Sequence, residues 1–194
     1  MKAGHAYRLT LPLTALVLGL AVLAGAVFVA LGGAPPHATI GGPFRLVDQE
    51  GKIATRASFL GEPLLIFFGY THCPDDCPTT LAEMTAAMKN LGPRAPIRAA
   101  FITVDPQRDT PAVLKRYLTS FDPRIVGLTG SRSALGRVFR EFRVYYKRPP
   151  GKSGDYEVDH STVVYLMDKN GRFVRPLDFS QAPGAADAIL KAYL

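Results

Sequence analysis

"PLLIFFGYTHCPDDCPTTL", residues 63–81, carries the chain from a buried strand into a helix and contains both of its cysteines, Cys73 and Cys77. Residues 63–70 form a continuous apolar run of the length expected for a strand that is covered on both faces. Cys77 then stands where an N-cap is expected, Pro78 suits the first helical position, and apolar residues recur afterwards at helical spacing. The cysteines are therefore predicted to lie at the carboxyl edge of a central strand, where sites commonly form.

The residues on either side of this stretch predict the other elements of an α/β sandwich. A hairpin is expected over residues 44–59 and a second buried strand over 97–104, followed by helices over 109–120 and 131–142. A second hairpin turns at Asn170-Gly171, and a short helix closes the chain over 185–193. This order is that of a thioredoxin-like fold, with parallel and antiparallel strands in one sheet, and we assign it to residues 44–194.

The N-terminal region predicts a single transmembrane helix ahead of that domain. Lys2 and Arg8 precede residues 9–31, which contain no charged residue, and residues 13–31 are interrupted by one polar side chain, Thr14. At about 1.5 Å per residue such a run nearly crosses a hydrocarbon core of roughly 30 Å. The competing interpretation is a cleavable signal peptide, whose apolar region is usually only about 7–15 residues long. Residues 1–8 are then a cytoplasmic N-terminus, and residues 32–43 are a Gly/Pro linker.

The charge distribution predicts which side of the membrane the domain occupies. Basic residues precede the apolar run and none follows it before Arg45, which favours a cytoplasmic N-terminus. We therefore expect a single-pass protein of the bacterial inner membrane with its C-terminal domain in the periplasm, where disulfides persist. The net charge of +7 favours acidic partners or the anionic membrane surface, and no nucleic-acid-binding signature is present.

The two cysteines have two chemical interpretations, a dithiol/disulfide redox pair and a metal clip. A staple closing so short a loop is worth only about 2 kcal/mol, on which a domain of this size does not depend. The N-terminus of the following helix is expected to stabilise a thiolate at Cys77, although Asp75 and Asp76 oppose a second anion unless a cation is bound. Structural zinc usually requires four protein ligands, whereas copper(I) accepts fewer soft ligands together with imidazole.

The histidines that could complete a metal site are His72 and His160. His72 adjoins Cys73, but its ring need not point the same way. His160 begins the predicted strand "DHSTVVYLMD" and shares one face with Val164 and Leu166. It reaches the thiols if this strand lies beside the one that ends at Tyr70. An ordinary hydrogen-bonded histidine is the alternative for both.

Four motifs resemble the Sco/SenC family in wording and order: "GYTHCPDDCPTTL" (69–81), "VDPQRDTP" (104–111), "LTG" (128–130) and "DHS" (159–161). The resemblance implies a membrane-anchored, thioredoxin-like, copper-binding protein that helps to assemble the dinuclear copper centre in subunit II of cytochrome c oxidase. It assigns Cys73, Cys77 and His160 as the copper ligands and matches Asp75 to an acidic residue of the family motif. His72 matches no ligand position. Asp76 departs from the family, which commonly has Val or Ile there.

The resulting hypothesis is a copper-delivery protein rather than an enzyme. Cu(I) is the expected cargo, with Cu(II) as the alternative, and the expected partners are cytochrome c oxidase subunit II, an upstream periplasmic copper donor and the membrane. The main rival is a thiol:disulfide oxidoreductase with Cys73 and Cys77 as its redox pair; a peroxidase ranks last.

Two further groups of residues receive structural interpretations from the sequence. Asp105, Arg108 and Asp109 are predicted to make caps and loop hydrogen bonds rather than a catalytic cluster. A basic loop containing Lys147, Arg148 and Lys152 is either a docking surface or a solvated segment.

Overall fold

The computed structural model describes residues 16–24, 27, 40–148, 156–179 and 184–194. The chain divides into two units, Met1–Ala38 and Thr39–Leu194. In the first unit, residues 16–24 and 27 are helical. Within the described residues, no helix combines the length and the apolar character needed to cross a membrane. The predicted N-terminus (1–8) and most of the predicted anchor (9–31) and linker (32–43) lie outside the described residues, so these segments stay predictions.

The second unit is built on a mixed sheet. Its strands are β1 Arg45–Asp48, β2 Ile53–Thr55, β3 Leu64–Gly69, β4 Arg98–Thr103, β5 Ile125–Thr129, β6 Tyr146–Lys147, β7 Asp159–His160, β8 Val164–Met167 and β9 Phe173–Leu177. Its helices are α1 Asp76–Asn90, α2 Pro111–Leu118, α3 Arg132–Phe142 and α4 Ala185–Lys191, with a short 3-10 turn at Arg56–Phe59. The main sheet has the order β2-β1-β5-β4-β3-β8-β9, and β6 pairs with β7 in a separate ribbon. Strands β3, β4 and β5 are parallel, and the other pairings are antiparallel.

Strand β3 lies at the centre of the core. It pairs with β4 on one side and with β8 on the other, and all of its residues are buried. Phe68 packs against Phe139 and Phe142 of α3, with ring centroids 6.0 and 5.5 Å away. Phe67 points to the opposite face and packs against Phe101 of β4, with the centroids 5.9 Å apart. A strand covered on both faces explains why its sequence is apolar throughout rather than alternating.

Side-chain hydroxyl groups cap the N-termini of α2 and α3, whereas α1 begins two residues earlier than predicted. The side chains of Thr110 and Ser131 accept hydrogen bonds from the backbone amides of the first turns of α2 and α3. The N-cap of α1 is Asp75, not Cys77. Cys77 therefore lies inside the first turn with its side chain directed into the core.

The strand predicted through "DHSTVVYLMD" is interrupted. Asp159 and His160 belong to the β6–β7 ribbon, residues 161–163 form no strand, and β8 begins at Val164. The predicted pairing itself is present, because Val164 of β8 lies opposite Phe67 of β3. His160 therefore approaches the end of β3 from a separate ribbon rather than from the main sheet.

Candidate metal centre

The turn between β3 and α1 places both sulfur atoms at the carboxyl end of β3. The backbone amide of Cys73 donates to the carbonyl of Tyr70 at 3.2 Å, and the amide of Cys77 donates to the Cys73 sulfur at 3.4 Å. Cys77 Sγ lies against the strand, since a Cβ atom added at Gly69 would be only 2.7 Å from it. Glycine is therefore required at position 69 by space. A glycine within a strand pattern is a known signal for such a close approach, and the sequence analysis did not use it.

His160 brings an imidazole nitrogen to these sulfur atoms. Its Nε2 lies 3.5 Å from Cys77 Sγ, while its Nδ1 lies 2.9 Å from the carbonyl oxygen of Ser161. A carbonyl can only accept a hydrogen bond, so Nδ1 carries a proton, and in the neutral imidazole Nε2 presents its lone pair toward the sulfur. This is the tautomer that can bind a metal through Nε2. The ligand atoms of Cys73, Cys77 and His160 all lie within 4.8 Å of one another.

The donor set fits a soft metal ion. Two sulfurs and one imidazole suit Cu(I), whereas structural zinc sites are almost always closed by four protein ligands. Within the described part of the chain, this is the only group of three or more His, Cys, Asp or Glu side chains whose atoms could share one ion.

The two thiols have opposite electrostatic environments. Hydrogen bonding from the Cys77 thiol, together with backbone amides of the α1 N-terminus, lowers the pKa of Cys73 to about 5 although burial opposes this shift. The same interaction with Cys73, then burial, raises the pKa of Cys77, and the nearby Asp76 carboxylate adds to the increase. In the metal-free protein the thiolate therefore belongs to Cys73 and the proton to Cys77. The expectation that the helix terminus favours a thiolate at Cys77 is wrong, because Cys77 lies inside the turn and its amide points to Cys73.

The site opens into a cleft of about 540 Å³. Cys73 and His160 line this cleft, whereas Cys77 is fully buried beneath it. Charged side chains also border the opening: Asp75, Asp76, Glu157, Asp159 and Lys147. An ion or a partner side chain can therefore reach the centre only from the side of Cys73 and His160.

Other candidate residues lie apart from the three donors or serve the surrounding loops. His72 is exposed, and its Nδ1 lies 3.0 Å from the hydroxyl of Thr71 and 3.9 Å from Asp109 Oδ1. Asp109 accepts hydrogen bonds from Thr71 and Thr103, and burial raises the pKa of its carboxyl group. These are the loop hydrogen bonds that were predicted for Asp109.

The basic segment and two tyrosines complete the surroundings of the site. Lys147 borders the cleft and Lys152 lies outside the described residues. Tyr70 packs against His160, and the hydroxyl of Tyr156 donates to Asp105; neither tyrosine could be singled out from the sequence, because these partners are far away along the chain.

Comparison with known proteins identifies the family. The SCO1/SenC family model matches residues 32–194. An SCO2-like protein of Rickettsia felis is 42% identical over 155 residues, which are 78% of this chain and 76% of that protein. The solved structure of Bradyrhizobium japonicum ScoI with copper bound is 52% identical with a TM-score of 0.75, covering 80% of this chain and 99% of that one.

A more distant solved structure has the same fold. BsSco, described as a member of the Sco family of cytochrome c oxidase assembly proteins with a disulfide switch, is 26% identical with a TM-score of 0.64. The match covers 82% of this chain and 95% of BsSco. By the extent of the family match and the identity to these relatives, this chain belongs to the SCO1/SenC family.

Proposed function

We propose that this protein binds copper and delivers it to the dinuclear copper centre in subunit II of cytochrome c oxidase. The observation that carries the proposal is the convergence of two sulfurs and one imidazole nitrogen within 4.8 Å of one another at the edge of an open cleft. A solved relative with copper bound and a relative described as an oxidase assembly protein support the same cargo and the same client.

Burial determines the order in which the ligands are exchanged. Cys73 and His160 border the cleft, so an incoming ligand of the acceptor replaces these donors first and Cys77 releases the ion last. Loading displaces the proton of Cys77, because a thiolate is the metal-binding form. Affinity therefore falls as the pH falls. When a disulfide of an oxidising partner accepts two electrons and one proton from the Cys73 thiolate and the Cys77 thiol, the two sulfurs join in a disulfide and no longer bind the ion, which makes loading dependent on the redox state.

The site is tested by titrating the reduced protein with Cu(I) in competition with a chromogenic chelator. We expect one tightly bound ion, and a large loss of affinity in His160→Ala with both thiols intact. His72→Ala is the matched control, because His72 adjoins Cys73 while its ring faces Thr71 and Asp109. Equal affinity of His160→Ala and the unmodified protein would contradict the proposed ligand set.

The proposed location is the bacterial inner membrane, with residues 9–31 as the anchor and the domain in the periplasm, where a copper donor loads it. The uncharged run and the basic residues that precede it support this orientation. A reporter enzyme that is active only in the periplasm, fused after Leu194, should be active. An inactive reporter on a fusion of proven expression would contradict the orientation.

A thiol:disulfide oxidoreductase is the second candidate, and the asymmetry of the cysteine pair favours it. Cys73 combines a lowered pKa with partial exposure, as an attacking thiolate requires, and Cys77 lies beneath it as a resolving thiol. His160→Ala separates the two candidates. If this variant keeps its copper affinity and loses thiol exchange with a disulfide peptide, the oxidoreductase is favoured.

A further inference from the structure

We propose that Arg108, together with Asp105 and Tyr156, is a positioning residue that holds the segment carrying His160 against the cysteine pair. The inference rests on the proposed ligand role of His160. It concerns residues outside the proposed ligand set: Arg108 and Asp105 lie in the loop after β4, and Tyr156 lies four positions before His160.

Hydrogen bonds around Asp105 hold Tyr156 in place. This carboxylate is 1% exposed and accepts the hydroxyl of Tyr156, which lies 2.7 Å from both of its oxygens. It also accepts from Arg108 Nε at 2.5 Å, while Arg108 Nη2 donates to the backbone carbonyl of Tyr156 at 2.9 Å. The loop therefore binds Tyr156 by both its side chain and its main chain, with charge-assisted hydrogen bonds.

A series of ring contacts leads from this loop to His160. The guanidinium of Arg108 lies 3.7 Å from the ring centroid of Tyr156 and 5.6 Å from that of Tyr70. The Tyr70 ring meets the His160 ring edge to face at 5.6 Å. The hydroxyl of Tyr70 also accepts a hydrogen bond from the backbone amide of Val158 at 3.2 Å. Every second residue of the segment 156–160 is thus held by a contact: Tyr156, Val158 and His160.

The ribbon that carries His160 is short. Beyond its own strand pairing it is held by the hydroxyl of Tyr145, which donates to Asp159 at 3.2 Å, and by Tyr146, whose ring centroid lies 4.6 Å from that of Phe139. Strand β7 is Asp159–His160, its one pairing among the described residues is with the two-residue strand β6, and Tyr146 lies opposite His160. A two-stranded ribbon is marginally stable at best, so contacts outside the ribbon must determine where Nε2 lies relative to the sulfurs. In metal sites, losing an outer partner of a ligand typically lowers metal affinity about 10–100-fold.

The primary variant is Arg108→Lys. Lysine keeps a positive charge beside Asp105 but cannot donate to Asp105 and to the Tyr156 carbonyl in the same planar arrangement. Arg124→Lys is the matched control, because Arg124 likewise pairs with Asp122 at 2.8 Å and donates to two backbone carbonyls. Arg124 precedes β5 and so lies at the opposite edge of the parallel strands from the cysteines.

Two measurements on the reduced protein test the inference. Competition titration with Cu(I) should show about 10–100-fold weaker binding in Arg108→Lys and unchanged binding in Arg124→Lys. In the His160→Ala background, Arg108→Lys should cause no further loss of Cu(I) affinity, because Arg108 acts through His160. In the metal-free protein, NMR contacts between the Tyr70 and His160 rings should be lost in Arg108→Lys and kept in Arg124→Lys.

The outcomes separate this inference from the proposed function. Unchanged contacts between the Tyr70 and His160 rings in metal-free Arg108→Lys overturn the positioning role of Arg108. The same conclusion follows if Arg108→Lys lowers copper affinity equally in the unmodified protein and in the His160→Ala background. Normal copper binding by His160→Ala overturns the assignment of His160 as a ligand instead. The ring contacts in metal-free Arg108→Lys still test whether Arg108 positions His160. If Arg108→Lys does not fold, Tyr156→Phe removes only the hydroxyl that binds Asp105, and the same contacts must weaken in that variant for the inference to stand.

Discussion

Replacing Gly69 by alanine tests whether the Cys77 sulfur lies against the end of β3. The new Cβ atom would be 2.7 Å from Cys77 Sγ and 2.7 Å from Phe101 Cε2. Non-bonded carbon atoms are optimally about 3.5–4.0 Å apart, so each neighbour must move by about 1 Å. Both neighbours are fully buried, and β3 is held between β4 and β8 and cannot move aside.

The magnitude follows from this crowding. Overpacking a core typically costs about 1–3 kcal/mol, and with two contacts violated we expect about 2–3 kcal/mol of lost stability. For a domain of this size that corresponds to a fall in Tm of roughly 5–10 °C. Displacing Cys77 Sγ should also weaken Cu(I) binding. The assay is urea unfolding of the reduced, metal-free protein followed by circular dichroism, because the chain has no tryptophan.

Gly136→Ala is the control for the same substitution at an open position. Gly136 lies within α3, and the nearest atom to an added Cβ is Arg140 Nη1 at 3.8 Å. Alanine is favoured over glycine inside a helix, so this variant should be about 0.5–1 kcal/mol more stable than the unmodified protein. The reasoning is refuted if Gly69→Ala unfolds at the same urea concentration as the unmodified protein and binds copper equally well.

Three further predictions concern charge. In the metal-free protein, iodoacetamide should modify Cys73 and spare Cys77; because the pKa of Cys73 is lowered to about 5, its thiolate is present above that pH and lost below it. Mass spectrometry of the peptides measures both rates, and a Cys73 rate that rises only near pH 8–9, as for an ordinary thiol, contradicts the assignment. Asp76→Val should lower the raised pKa of Cys77 and tighten Cu(I) binding at pH 7, while losing about 0.3–1 kcal/mol of stability at the helix N-terminus; weaker binding at pH 7 would count against it. The Arg124 guanidinium lowers the pKa of Asp122, so their pairing stabilises the fold above about pH 4 and is lost as the pH falls through the lowered value. Between pH 2 and 5 the free energy of unfolding, measured with urea, should therefore depend less on pH in Asp122→Asn than in the unmodified protein. An equal pH dependence in the two proteins would show that the pair is not formed.

The part of the site made by local sequence was predictable. An apolar run of strand length, a turn with two cysteines and a proline at the start of a helix fixed the place of Cys73 and Cys77, and β3 and α1 are where this pattern indicates. The error was one of register at the helix start, where Asp75 rather than Cys77 is the N-cap. A difference of two residues decides which sulfur receives the amide hydrogen bond, so it reversed the expected positions of thiolate and thiol.

The position of His160 was not predictable from its own surroundings, and the reason is physical. Strand alternation placed it on an extension of β8, whereas the backbone leaves the sheet before Val164 and enters a separate ribbon. The segment leading into that ribbon is bound at Tyr156, which hydrogen-bonds to Arg108 and Asp105, 48 and 51 positions away, and periodicity carries no information about such pairs. Resemblance to a family supplied His160 as the proposed ligand, but only the packed structure indicates why the imidazole lies there. For the same reason Arg108→Lys is an informative test: the copper affinity of a metal site assembled from distant parts of the chain should be sensitive to substitutions that touch none of its proposed ligands.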